Sequence, residues 1–253
     1  MKDRNIKIFL NIIILLVIVS ISITLSKNNI MAFTDNAAKH PIYSVDTKDN
    51  VVCITFDVNW AEKDNLSVIL DLLDKYNVKG TFFIMGGWVN YSEDNVNKLK
   101  DIAERGHEIG NHSYMHPSFS KISEQKMEEE ILKTDEIIKK YTGKDTVLFR
   151  FPSGDYNESS VKKVNSLNHY AIQWDDDSVD WKELGYDVEY NKIMKKVHPG
   201  AIMLFHNNAK YTPQNLERII VKLKEQGYEF KTVGEVIYTE DYYVDENGIQ
   251  HKK

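Results

Sequence analysis

The chain has 253 residues, 42% of them hydrophobic and 28% charged, with a formal net charge of -6 and one cysteine. That length suits one substantial core and is short for two. An acidic balance without a basic stripe argues against a general grip on nucleic acid, and a single thiol excludes an intramolecular disulfide framework.

Lys2, Arg4 and Lys7 precede an apolar run from Ile8 to Leu25. Eighteen residues rising about 1.5 Å each reach roughly 27 Å, close to the hydrocarbon thickness of a bilayer. Basic residues ahead of the run place the amino terminus in the cytoplasm and predict export of the chain beyond Leu25. Residues 1–29 are therefore expected to form a membrane anchor. A cleaved signal peptide, releasing the protein to the cell wall, is the alternative, although Thr24-Leu25-Ser26 is a poor small-x-small cleavage site. Residues 30–49 are polar and unpatterned, as in a stalk, and residues 239–253 read as a peripheral tail. Residues 50–238 then form the one folded domain, expected to act as a monomer.

From Asn50 onward strands and helices alternate. Val51 to Phe56 is an apolar, β-branched strand, and Leu66, Ile69, Leu70 and Leu73 mark a helix after it. Cys53, inside that strand, reads as a small buried hydrophobe rather than a nucleophile. Thr81 to Met85 is the next strand. Ser92 caps a helix that Gly106 stops, and His107 to Gly110 is a short strand. Ser123 opens a long helix to Tyr141. Thr146 to Phe151, Tyr170 to Trp174 and Ala201 to Phe205 are further strands, Gln214 to Glu225 is a helix, and Glu229 to Thr232 closes the series. This alternation predicts an α/β fold with a parallel sheet, closed into a (β/α) barrel of six to eight units; an open doubly wound sheet is the alternative. No Gly-x-Gly-x-x-Gly follows the first strand, which removes the dinucleotide-binding version.

Each apolar strand ends in a polar cluster. Asp57 follows the first, and His112 and His116 stand four apart in a turn that Pro117 keeps from continuing as helix. Arg150 and Asp155 follow the next strand, then Asp175, Asp176, Asp177 and Asp180, then His206, Asn207 and Asn208. In a barrel such positions converge on the rim where active sites lie. Two imidazoles suit a zinc-type ion, which polarises a carbonyl and acidifies bound water. Asp57, held ionised by Arg150, suits the base, and His206 beside an aspartate suits the acid. Serine chemistry is disfavoured, since Gly-x-Ser-x-Gly is absent.

Five of these clusters, in order, resemble the motifs of the NodB-type polysaccharide deacetylases, carbohydrate esterase family 4. They are Thr55-Phe56-Asp57, His112-Ser113-Tyr114-Met115-His116, Arg150-Phe151-Pro152-Ser153-Gly154, Asp177-Ser178-Val179-Asp180-Trp181 and Leu204-Phe205-His206. Phe56-Asp57-Val58-Asn59-Trp60 and Gly86-Gly87-Trp88 look closest to the sporulation-associated PdaB-like branch. The resemblance covers about Val51 to Ile237. It implies a distorted barrel that removes acetyl groups from amino sugars of cell-wall glycan, with peptidoglycan as the expected substrate. By that likeness Asp57 is the base, His112 and His116 hold a divalent metal (zinc or cobalt), and Arg150 orients Asp57. Asp180 pairs with His206, the acid; Trp181 and Leu204 line the pocket for the acetyl methyl, and the Ser153 N–H faces the oxyanion.

One position departs from the pattern. The family's second aspartate, its third metal ligand, is Val58 here, and Asn59 is a poor zinc donor in its place. Two histidines alone hold zinc less tightly than three ligands. A catalytically impaired glycan-binding or sporulation protein on the same fold is the alternative this substitution raises.

Overall fold

The computed structural model describes residues 39–253. In chain order the strands are β1 (Ser44–Val45), β2 (Val51–Val58), β3 (Thr81–Ile84), β4 (Glu108–Asn111), β5 (Leu148–Phe149), β6 (Tyr170–Ala171), β7 (Asp176–Asp177), β8 (Ile202–His206), β9 (Glu229–Phe230), β10 (Tyr242–Val244) and β11 (Ile249–Lys252). The main helices are α1 (Leu66–Lys75), α2 (Gly86–Val89), α3 (Glu93–Glu104), α4 (Glu124–Thr142), α5 (Glu158–Ser166), α6 (Tyr186–Lys196), α7 (Thr212–Glu225) and α8 (Val233–Val236).

One parallel sheet runs β6-β5-β4-β3-β2-β8-β7, with β9 also pairing to β2. Among the described residues its end strands β6 and β7 do not pair with each other, so the barrel is curled but open. The α/β class, the parallel sheet and the distorted barrel expected from the sequence are what the chain forms, but the sheet curls into an open half-barrel instead of closing.

Strand β2 is the axis of the fold, with all eight of its residues buried. Period-two alternation sorts them. Val52, Ile54, Phe56 and Val58 pack in the layer that the sheet shares with helices α1, α3, α4 and α7. Cys53 packs on the opposite, concave side with Phe83, Leu148, Ile172 and Ile202, and Thr55 and Asp57 share that side. The helices are punctuated as their sequences dictate. The Ser92 and Ser123 side chains accept from Asn95 N–H and Lys126 N–H at the starts of α3 and α4, and Gly143 ends α4 in the left-handed conformation at φ +71°.

Four helices were absent from the sequence expectation: α2, α5, α6 and α8. Helix α6 buries only Glu189 and Ile193, so no apolar stripe marks it. The edges also differ from expectation. Ser44–Val45, in the stretch read as a stalk, pairs in parallel with Ile249–Gln250, and β10 pairs with β11. The segment read as a peripheral tail is therefore part of a three-stranded sheet anchored by Gln250, which is fully buried and bonds the Tyr238 backbone in both directions. Short strands held by long-range pairing carry too little periodicity to be seen locally. The expected anchor, residues 1–29, lies outside the described residues; among the described residues no helix is long and apolar enough to cross a membrane.

Candidate active site

Strand register sets the site. Asp57 on β2 lies directly beside His206 on β8 and Phe83 on β3. Asn111, the residue before His112, pairs with Phe149, the residue before Arg150. The carboxyl ends of four strands therefore deliver Asp57, His112, Arg150 and His206 to one rim, as the sequence predicts.

Arg150 is fully buried and spans the concave side. Its Nη1 donates to Asp57 Oδ1 at 2.9 Å and to Thr55 Oγ1 at 2.8 Å, and its Nη2 donates to the Gln173 carbonyl at 3.0 Å. Its guanidinium stacks 4.0 Å from the centre of the Phe83 ring. Burial pushes the Asp57 carboxyl up. His112 when protonated, the charges of Arg150 and His206 and the Arg150 hydrogen bond outweigh that, holding it below the usual carboxylate range. Asp57 is ionised with one oxygen engaged by arginine.

Its other oxygen faces His112. The His112 Nδ1 lies 3.0 Å from the Arg150 carbonyl, which can only accept, so Nδ1 carries the proton and Nε2 the lone pair. Burial pushes the His112 pKa down to about 4, so the ring is neutral near pH 7. Its Nε2 is buried without a hydrogen-bond partner, 3.5 Å from Asp57 Oδ2. A lone pair aimed into a buried space beside a carboxylate is an electron-rich setting that would suit a cation.

The histidine turn is strongly built. Ser113 and His116 both take positive φ, +65° and +58°. The Asn111 side chain accepts from Ser113 N–H, Ser113 Oγ accepts from His116 N–H, and Glu130 Oε2 accepts from Tyr114 N–H at 3.0 Å and Met115 N–H at 2.7 Å. These bonds bring the His112 and His116 rings to 4.9 Å between centroids at an interplanar angle of 70°. Burial likewise lowers the His116 pKa.

On the far side His206 Nδ1 lies 2.7 Å from Asp180 Oδ1. Asp180 Oδ2 accepts from His206 N–H and from Thr212 Oγ1, so the carboxylate is locked. Burial opposes charge on His206, but the Asp180 bond with the charges of Asp180, Asp57 and Asp177 prevails and raises its pKa.

The remaining predicted residues divide. Ser153 sits in the turn Pro152–Gly154 at φ +54°, and Leu204 is buried on β8. Trp181 follows Asp180 and is 58% exposed, with the Lys182 ammonium 4.8 Å from its ring centre. Three aspartates of the rim clusters serve elsewhere. Asp155 binds Ser118 and Ser120, tying down the loop after His116. Asp175 lies 2.5 Å from His198, and Asp176 has both oxygens buried without a partner. Asn207, one residue past His206, donates to the Asn59 carbonyl and to Asp64. Sequence reading missed Glu130, Asn111 and Thr212 and gave Thr55 no role, although all four hold the site from behind. Glu130 is hidden within Glu128-Glu129-Glu130, and only its contact with the turn distinguishes it.

Val58 alternates away from Asp57 into the helix-side apolar layer. Among the described residues no three His, Cys, Asp or Glu side chains converge as a ready metal cage. The donors that fit a divalent ion are His112 and His116, with Asp57 beside them.

Residues 44–172 match the family model for polysaccharide deacetylases. The chain is 34% identical over 197 residues to the uncharacterized protein YlxY of Bacillus subtilis, covering 78% of this chain and 60% of that one. It is 33% identical over 203 residues to the peptidoglycan-N-acetylmuramic acid deacetylase PdaA of the same organism, covering 79% and 76%. Among solved structures it resembles a CE4 family pseudoenzyme from Bacillus anthracis, with a TM-score of 0.74 and 33% identity over 85% of this chain and 74% of that one. The motif-bearing rim, the curled parallel sheet and these likenesses agree: the chain belongs to the polysaccharide deacetylase family.

Proposed function

We propose that this chain is a metal-dependent hydrolase that removes N-acetyl groups from peptidoglycan amino sugars. The observation that carries the reading is the neutral His112 Nε2, buried without a partner and 3.5 Å from an ionised Asp57. His112 and His116 would hold a divalent ion, zinc or cobalt, with Asp57 beside it; when bound, that ion supplies Lewis acidity toward the acetamido carbonyl.

The chain's own residues account for the proton transfers. Asp57, fixed by Arg150, takes a proton from the attacking water. The Ser153 N–H stabilises the developing oxyanion. His206, kept protonated by Asp180, delivers a proton to the sugar nitrogen as the C–N bond breaks, releasing acetate and the free amine. Trp181 and the Leu204 edge border the acetyl methyl. The apolar run Ile8 to Leu25 supports export and anchoring to the membrane, so the wall glycan would be met outside the cell.

A second reading has a specific observation behind it. Val58 supplies no third ligand, and one similar structure is described as a pseudoenzyme; on this reading the protein binds glycan without cleaving it. Acetate release from N-acetylated peptidoglycan, after chelation and with zinc or cobalt added back, separates the two. Metal-restored acetate supports the hydrolase, whereas retained glycan binding with no acetate under either metal supports the second reading. The Val58→Asp substitution sharpens the answer. An aspartate at 58 lies in an apolar layer unless it turns toward the histidines, so V58D is expected to lower Tm in chelator and recover it with zinc. A Tm lowered equally with chelator and with zinc would place residue 58 outside the metal's reach.

A further inference from the structure

Helix α6 is docked through two buried residues, and one of them, Glu189, carries a carboxyl group. Glu189 is 1% exposed, and Asn215, facing it from α7, is equally buried. Asn215 Nδ2 donates to Glu189 Oε2 at 3.3 Å. Glu189 Oε1 and Asn215 Oδ1 are left buried without a hydrogen-bond partner. Both are acceptors as long as Glu189 is ionised, and buried acceptors without a donor are costly. A proton on Oε1 turns one of them into a donor, which allows acid and amide to pair through both of their ends. The surroundings favour that proton. Burial, then the charge of Asp180, pushes the carboxyl up to about 7; Glu183 adds a second negative charge, and the Gly185 N–H and Asn215 oppose them without prevailing. On β7, Asp176 has both oxygens buried without a partner. Arg218, one turn beyond Asn215 on α7, is engaged by Asp187 at 3.0 Å and by the Tyr186 and Tyr190 rings.

This pair stands one helical turn from the proton donor. Thr212, three residues before Asn215 in the first turn of α7, donates to Asp180 Oδ2 at 2.6 Å, and Asp180 Oδ1 lies 2.7 Å from His206 Nδ1. The first turn of α7 is therefore held from α6 by Glu189 and in its turn holds Asp180. We propose that Glu189 is a positioning residue carried as the neutral acid, locked to Asn215 so that α7 keeps Thr212, Asp180 and His206 in line. The proposal rests on the reading of His206 as the acid of a deacetylase. Neutrality matters as much as the lock. A second carboxylate charge beside Asp180 would bind the His206 proton more tightly, and a proton bound more tightly is donated more slowly. An apolar side chain would dock α6 without charge but would leave the buried Asn215 amide without its partner.

The test is carbon-13 carboxyl NMR of the full-length protein and its Glu189→Gln variant from pH 4 to 9. The His206 imidazole titration, kcat and KM are followed over the same range in both and in Glu189→Leu. The carboxyl resonance that Glu189→Gln removes is expected to titrate near pH 7. A midpoint in the ordinary glutamate range, about 4.3, overturns the neutral acid. Glu189→Gln supplies a neutral group of the same shape that can bond Asn215 at both ends. It should keep most of kcat at pH 6 and move the alkaline limb to lower pH than in the parent, where Glu189 ionises. Glu189→Leu should lower kcat about tenfold with little change in KM, and its His206 should titrate at lower pH as Asp180 loses alignment. A loss in Glu189→Gln as large as in Glu189→Leu overturns the positioning role, as does one His206 titration shared by all three proteins. Where Glu189→Leu fails to fold, the carboxyl titration and Glu189→Gln decide the matter. Neither titration needs turnover, so absence of acetate from the parent alongside a carboxyl midpoint near pH 7 would remove the deacetylase reading and leave the lock standing.

Discussion

Asp57 is the residue on which the site turns, because it has two oxygens and each meets a different demand. Oδ1 is held by Arg150 at 2.9 Å, and Oδ2 looks toward a histidine lone pair. His206 is its counterpart, a base turned acid by Asp180. Its raised pKa means the imidazolium survives to higher pH than an ordinary histidine, so the acid's contribution is lost as pH rises through that pKa. Asp180→Asn removes the charge that opposes burial. The alkaline limb of kcat/KM is expected to move to lower pH, and kcat to fall about 100-fold or more. A limb that stays in place would show that His206 is not the acid.

At the scale of an element, the turn from Asn111 to His116 needs support, because two non-glycine residues in it hold positive φ. Glu130, from the middle of α4, supplies it by accepting two successive backbone N–H groups, and Lys126 approaches the same carboxylate at 3.1 Å. Glu130→Ala leaves those donors without their acceptor and lets the histidines relax. Zinc affinity measured by chelator competition is expected to drop about 10–100-fold, the usual cost of losing a group that orients metal ligands. Glu130→Gln keeps a carbonyl acceptor and should recover part of the loss. Equal zinc affinity in all three proteins would mean the turn holds its shape unaided.

For the molecule as a whole, Asp176 sets a stability trend unrelated to catalysis. It is buried on β7, and burial, then the charge of Asp175, pushes its pKa up to about 8. The folded carboxyl keeps its proton until about pH 8, while the unfolded one loses it near the usual value of about 3.9. Between those limits the unfolded state binds fewer protons, so this group makes folding weaker as pH rises. Asp176→Asn removes the dependence. Its Tm advantage over the parent, read by calorimetry from pH 4 to 8, should grow steadily; a constant difference would show that Asp176 is solvated.

The sequence by itself determined the strand and helix alternation, hence the parallel α/β class, because β2, β3 and β8 are apolar runs long enough to show their period. It also determined the rim residues, since a parallel sheet brings every strand's carboxyl end to one side, and Asp57, His112, Arg150 and His206 each stand at the end of a strand. Only the tertiary structure decided what stands behind them. Glu130 and Thr212 act through contacts with residues 15 and 32 positions away, which no local pattern encodes. The same holds for the sheet joining Ser44–Val45 to Ile249–Lys252, formed by segments about 200 residues apart. The side to which Val58 points was likewise settled by packing. Sequence shows that the third ligand is replaced, and the fold shows valine meeting the apolar layer on the face opposite Asp57.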